Sequence, residues 1–249
     1  MNADSAYRLR AILAALNDRN ITLPDPVNVA VQRHQAVVSN TPAPQPLSAL
    51  RDAIIDGAGP EELGGILLAD LGSARLLAAH NEALTHTAHT ALEQLLIHRD
   101  PVHAQLAQRA NELIAKLHAT AVIDVPINTL IREGRHEDAK LVADVDHSAA
   151  ELNALFDLRD HHLVPGGFRT LTVGHINCAR WRNAPDIDGY LRGGITDGFL
   201  SGLRAGGDLW YPTAEEAIAA AQTYWDDYVV VETERKKELF GTGSTVSWG

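Results

Sequence analysis

Cysteine and aromatic residues are scarce in this chain of 249 residues. Cys178 is the single cysteine, so no disulfide can form within the chain. Aromatic side chains make up 5% of the residues, whereas alanine and leucine dominate the apolar 45%. Small and unbranched apolar residues suit helix packing better than sheet packing. The composition therefore predicts a mainly α-helical protein.

Long apolar runs are also absent. The sequence has no run of about 18 apolar residues, so we expect no membrane span and no membrane partner. The segment from Met1 to Arg10 lacks the apolar centre of a signal peptide, so we do not expect secretion by that route. The cytoplasm is the simplest location that the sequence predicts.

Familiar catalytic motifs are missing from the sequence. It contains no phosphate-binding glycine loop, no His-Glu-x-x-His and no Gly-x-Ser-x-Gly. The formal net charge is −11, from 21 basic and 32 acidic residues, and a phosphate backbone would on average be repelled. We therefore expect neither an enzyme nor a nucleic-acid-binding protein, and we predict no cofactor and no small-molecule ligand.

An apolar stripe runs through the first half of the chain, with steps of three and four residues that are typical of a coiled-coil seam. It predicts a long helix whose apolar side must be covered by something else. Proline at Asp100-Pro101 predicts a kink in this helix. Gly64, Gly65 and Gly72 either weaken its beginning or permit another helix to approach closely. The stripe consists of Leu63, Leu67, Ala74, Leu77, Leu84, Ala88, Ala91, Leu95, Val102, Leu106, Leu113 and Leu117.

Four regions follow from these patterns: an N-terminal helix over 1–23, an arm or linker over 24–46, a helical domain over 47–160 and a small α+β region over 161–249. The arm is predicted because Val27, Val29 and Val31 alternate with other residues between prolines. The helical domain holds the long kinked helix and a helical hairpin that turns at Gly134. In the last region we predict a strand over 168–176 and a helix that starts at Thr213 and continues to about Leu239.

Two groups of residues have side chains that can bind metal. His161, His162, His175 and Cys178 are the stronger group, and they support a metal-dependent hydrolase as an alternative function. The other group, His86, His89 and Glu93, falls on one side of the long helix. A di-metal bundle needs a second such motif, which is missing, so a solvated polar face is the preferred interpretation.

Contacts with other proteins are the preferred interpretation of the remaining features. Arginine beside tryptophan, as in Arg180-Trp181-Arg182, is typical of protein interfaces. The apolar stripe and the aromatic C-terminal segment are further candidate contacts. The predicted interface residues are Leu84, Leu95, Leu106, Trp181, Trp225 and Trp248.

One short segment resembles a known family. His175-Ile176-Asn177-Cys178 resembles the His-Pro-Asn-Cys segment near the end of the minor head protein domain of Mu-like phages, with Ile176 in place of proline. The resemblance implies a phage virion or head-assembly protein, located in the virion or the cytoplasm. We therefore expect a non-enzymatic structural or assembly subunit that binds protein partners or itself. A regulatory module that binds a partner helix is a further alternative.

Overall fold

A computed structural model of the chain describes residues 3–42, 48–164, 172–173, 176–183 and 193–223. The described residues are mainly helical, as the composition predicted. The chain divides into two compact units, Met1–Val102 and His103–Gly249. This division differs from the boundaries that we predicted after residues 46 and 160.

The first unit is organised around one long helix. Helices α1, α2 and α3 all pack against α4. The C-terminal part of α4 is buried together with one side of α1 and one side of α2. In α1 this side carries Leu9, Ile12 and Leu16, as its helical spacing predicted. The bounds are Ala3–Asn17 for α1, Asp25–Ser39 for α2, Ser48–Ile55 for α3 and Pro60–Ile97 for α4.

The arm predicted over 24–46 is wrong for residues 25–39, which form helix α2. Pro24 precedes the helix and Pro26 lies in its first turn, where a backbone donor is not needed. Val27, Ala30, Val31 and His34 are buried, with the three- and four-residue steps of a helix. The alternation of valines suggested a strand because Val27 and Val31 fit both periods.

The second unit begins within helix α5, whose first residues lie before the boundary at His103. Helix α8 continues into a π-helical turn at Arg159–Leu163. The further helices are short and connect through turns. The bounds are Arg99–Ala121 for α5, Ile127–Arg132 for α6, His136–Ala143 for α7, Val145–Leu158 for α8, Ile195–Arg204 for α9 and 214–223 for α10.

Local sequence signals predicted several of the helix ends and turns. Helix α4 ends at Ile97 and α5 begins at Arg99, so an interruption is present, but it lies at His98 and Asp100-Pro101 falls in the first turn of α5. Gly134 turns the hairpin between α6 and α7 with a φ angle of 74°, which favours glycine. One helix was predicted over 136–159, but Asp144 divides it into α7 and α8.

The described residues do not support a regular α+β region over 161–249. Their strands are β1 (Thr172–Val173) and β2 (Ile176–Asn177), which pair antiparallel. Two strands of two residues are too short to form one face of a core. The rest of the strand predicted over 168–176, the helix beyond residue 223 and the C-terminal segment lie outside the described residues.

Within the described part of the chain, every helix is too short or too polar to cross a bilayer.

Candidate functional site

The first half of α4 has no core of its own. From Arg51 to Thr87, a stretch described in full, no side chain is buried. Burial begins at Ala88 and continues at Ala91, Leu92 and Leu95, where α1 and α2 cover the helix. About 40 Å of helix therefore precedes the first buried residue. A helix of this kind is marginal in water unless its apolar face is packed.

Large apolar side chains are concentrated on this uncovered part. Leu68 is 72% exposed and Ile55 is 73% exposed, so both are nearly as accessible as in an unfolded chain. Leu67, Leu68 and Leu71 fall within about 100° of one another around α4. An exposed apolar patch of this kind often marks an interaction site. We call it the α3–α4 surface, and it consists of Ile54, Ile55, Leu67, Leu68 and Leu71, whereas Leu76 and Leu77 are exposed on other sides of α4.

Glycines open shallow depressions beside these leucines. A Cβ atom added at Gly64, Gly65 or Gly72 would meet no atom within 4 Å. No neighbour within the described chain therefore requires glycine at these positions. Each glycine in a helix costs about 1 kcal/mol relative to alanine. The part of the chain that the structure describes thus gives no reason for the three glycines.

Charged residues are sparse on the same half of α4. Between Pro60 and Ala79 they are Glu61, Glu62, Asp70 and Arg75. Glu61 and Arg75 are exposed, and neither forms an ion pair with the described residues. These two charges lie on opposite sides of Leu68 along the helix, each seven residues away. Their spacing places them on nearly the same line along the helix as Leu68.

The predicted interface residues lie mostly away from this surface. Leu95, Leu106 and Trp181 are buried in the chain, with exposed fractions of 1%, 0% and 3%, and they contribute to its core. Leu84 is half-buried. Trp225 and Trp248 lie outside the described residues. Of the stripe, Leu67, Ala74 and Leu77 are exposed, while the members from Ala88 onward are buried.

The metal-capable residues are not gathered into a site by the described residues. His161 is exposed, and its Nδ1 atom donates a hydrogen bond of 2.8 Å to the Asp157 carbonyl. Cys178 is buried, whereas His175 lies outside the described residues. Among described residues, no group of three or more His, Cys, Asp or Glu side chains is arranged to hold a metal ion. The hydrolase alternative stays a prediction.

The second candidate group is solvated, as its spacing suggested. His89 Nε2 lies 3.2 Å from Glu93 Oε1, and both side chains are more than half exposed. His86 is exposed on the same helix. An exposed polar contact of this kind contributes little to stability.

A buried arginine in the second unit was missed by the sequence analysis. Arg159 is completely buried, and its guanidinium lies beside the stacked rings of Phe156 and Tyr211, 5.0 and 4.7 Å from their centroids, which are themselves 5.5 Å apart. Its Nε atom donates a hydrogen bond of 2.8 Å to Asp160 Oδ1. Burial lowers the pKa of Arg159, and the neighbouring Asp160 carboxylate opposes that shift.

Neighbouring side chains close this arginine off from solvent. Arg180 lies 5.0 Å from the Phe156 ring centroid and donates a hydrogen bond of 3.0 Å to Asn153 Oδ1. The Tyr211 hydroxyl donates to the Leu155 carbonyl at 2.9 Å. The aromatic rings and the Asp160 carboxylate already contact the guanidinium. The arrangement therefore serves folding rather than ligand binding. Phe156 and Asp160 are its neighbours in sequence, but Tyr211 is distant, so the local sequence does not reveal the whole cluster.

Comparisons with known proteins add no assignment: no protein-family model, no curated protein and no solved structure matches this chain. The exposure of its apolar residues alone therefore makes the α3–α4 surface the strongest candidate site. The three glycines beside this surface are conspicuous in the sequence, whereas no sequence pattern distinguishes Leu68 and Leu71. Only the burial of each residue distinguishes the covered part of the helix from the uncovered part.

Proposed function

We propose that this chain is a non-enzymatic assembly subunit that binds another protein through the α3–α4 surface. The observation that carries the proposal is the first half of α4, which exposes its leucines and has no buried side chain before Ala88. Covering one exposed leucine contributes about 1.5–3 kcal/mol. A partner helix that covers several of them gains enough to offset the entropy of association.

The composition of the surface supports a protein partner. Apolar side chains dominate it, and only four charged residues lie between Pro60 and Ala79. Leucines along one helix face are the usual anchors for a second helix. The net charge of −11 continues to disfavour nucleic acid. The resemblance of His175–Cys178 to a minor head protein segment of Mu-like phages favours a phage particle as the assembly.

Site-specific photo-cross-linking tests the proposal. A photoreactive residue replaces Leu71, which lies on the surface, or Ile218, which is equally exposed at 53% but lies in the second unit. The full chain is then irradiated in the cells that produce it. We expect covalent adducts with another protein chain, of either kind, at Leu71 and none at Ile218. Equal labelling at the two positions, or none at Leu71, would contradict the proposal.

A further inference from the structure

We propose that a second copy of this chain covers the α3–α4 surface, through an antiparallel pairing of the two α4 helices about a two-fold axis at Leu68. The inference rests on the proposed function and adds the identity of the partner. A two-fold interface requires a surface that is complementary to itself. The first half of α4 has this property in its charges, its leucines and its glycines.

Charge complementarity supports the antiparallel pairing. Glu61, Leu68 and Arg75 follow one another at intervals of seven residues, and all three are exposed. Seven residues fall about 20° short of two full turns, so the three side chains form one line along the helix. A two-fold axis at Leu68 brings Glu61 opposite Arg75 of the second copy. The same pair forms again at the other end, while Leu68 meets its own equivalent.

The same axis also pairs the glycines and leucines. It places Gly64 opposite Gly72 of the second copy, and Leu71 opposite Gly65. No atom of the described chain lies within 4 Å of a Cβ added at any of these glycines. Two helices can therefore approach closely, with each Leu71 side chain filling the depression at Gly65 of the other helix. This pairing explains glycines that no contact within the described residues requires.

A parallel pairing of two copies is unfavourable. It would place Glu61 against Glu61 and Arg75 against Arg75, and like charges in an interface repel. An unrelated partner would not need the charges, glycines and leucines to be balanced about one residue. The symmetry about Leu68 thus indicates a second copy rather than a different protein.

Substitution of the central leucine is the first test. Sedimentation equilibrium of the full chain should give twice the mass of one chain at micromolar concentration. Leu68→Glu places two carboxylates on the axis, and we expect a monomer with unchanged helix content by circular dichroism. The control is Leu77→Glu, at a residue 40% exposed and about 180° around α4 from Leu68, which should remain dimeric. A monomeric parent chain or a dimeric Leu68→Glu variant would overturn the pairing.

Charge reversal tests the register. Glu61→Arg alone and Arg75→Glu alone should each weaken dimerisation about tenfold, because two ion pairs become two repulsive pairs. The double variant Glu61→Arg/Arg75→Glu should return to within about twofold of the parent chain. Glu62→Arg is the control, since Glu62 lies about 100° around the helix from Glu61, and it should change the dissociation constant less than the single reversals do. A double variant as weak as the single variants would overturn this register.

Glycine substitution separates helix stability from association. Gly72→Ala should raise the thermal stability of the monomeric Leu68→Glu variant, because alanine favours the helix. In the parent chain the same change should weaken dimerisation, because a methyl group then lies between Gly72 and Gly64 of the second copy. A Gly72→Ala chain that dimerises as tightly as the parent would overturn the close approach.

Cysteine cross-linking tests the axis directly and distinguishes this inference from the proposed function. Leu68→Cys should form a disulfide-linked dimer on mild oxidation. Leu76→Cys should not, because the two thiols would lie about 24 Å apart along the helices. The parent chain is the control for disulfide formation without an introduced cysteine, since its native Cys178 is buried.

Photo-adducts of Leu71 with a different protein, together with a monomeric parent chain, would overturn the self-pairing and leave the proposed function standing. A monomeric chain without any adduct would overturn both.

Discussion

The His34 Nδ1 atom of α2 lies 3.0 Å from the Thr87 hydroxyl of α4, and the residue after Thr87 is the first buried residue of α4. The Thr87 hydroxyl donates to the Ala83 carbonyl at 2.8 Å, so His34 Nδ1 is the donor in the contact between the two side chains. His80 Nε2 donates to the Val37 carbonyl at 2.9 Å and joins the same two helices. These contacts mark the end of the region of α4 that α2 covers.

His34 should make the stability of the chain sensitive to mild acid. Burial, and secondarily the charge of Arg10, lower the pKa of His34 below its ordinary value of 6.5. The unfolded chain therefore binds more protons than the folded chain below about pH 6.5. The contribution of His34 to stability is complete above that pH and declines as the pH falls toward the lowered pKa of the folded state.

Urea unfolding of the full chain at pH 7 and pH 5 measures this effect. We expect the unfolding midpoint to fall on acidification, and to fall less in His34→Asn, whose amide retains a donor for Thr87. His118→Asn replaces an exposed histidine and should behave as the parent chain does. An acid response in His34→Asn equal to that of the parent chain would contradict the assignment.

Arg159 should be essential to the stability of the second unit. Its removal leaves the Asp160 carboxylate, whose side chain is 12% exposed, without its closest partner, and it opens a cavity beside the two stacked aromatic rings. Loss of one member of a buried ion pair costs about 3–5 kcal/mol. Arg159→Ala should lower the free energy of unfolding by this amount, as measured by tryptophan fluorescence in urea.

A surface arginine provides the matched control for Arg159. Arg182 pairs with Asp208 at 3.1 Å, and both side chains are about half exposed. Its replacement by alanine should cost about 0–1 kcal/mol. If Arg182→Ala and Arg159→Ala lowered stability equally, the buried cluster would not have the structural role assigned to it.

Local chemistry explains which parts of the fold were predictable. The helix predicted to start at Thr213 forms, and a capping box stabilises its start, with the Thr213 amide donating to Glu216 Oε2 at 2.8 Å. The break before Pro101 and the turn at Gly134 follow equally from single residues. In each case a few adjacent residues determine the backbone, so the sequence contains the whole signal.

Tertiary contacts decide the parts that were missed. Val27 and Val31 fit a strand or a helix, and packing against α4 selects the helix. Arg159 acquires its role from Tyr211, which is distant in sequence. Leu71 and Leu95 lie in the same helix, so local propensity does not indicate which of them is covered. That difference depends on where α1 and α2 end.

Gly207 should tolerate no side chain. A Cβ atom at this position would lie 2.6 Å from Trp181 Cζ3 and 2.7 Å from the Gly202 carbonyl oxygen. Because Trp181 is buried and the second contact is backbone, neither can move freely. Gly207→Ala should therefore cost about 1–3 kcal/mol through overpacking. Gly198→Ala, in α9 and without a neighbour within 4 Å of its added Cβ, should be neutral or stabilising in the same urea unfolding experiment.

Two leucines of α4 should differ sharply in their contribution to the folded monomer. Leu95 is 1% exposed and Leu71 is 53% exposed. Leu95→Ala leaves a cavity and should cost about 2–5 kcal/mol, whereas Leu71→Ala should change stability by less than about 0.5 kcal/mol. The measurement is chemical unfolding in the Leu68→Glu background, so that association does not contribute to the free energy. A large loss at Leu71 would mean that the first half of α4 is already packed within one chain, which would remove the need for a partner. A negligible loss would mean that the fold does not require this leucine, so that its purpose must lie in contact with another chain.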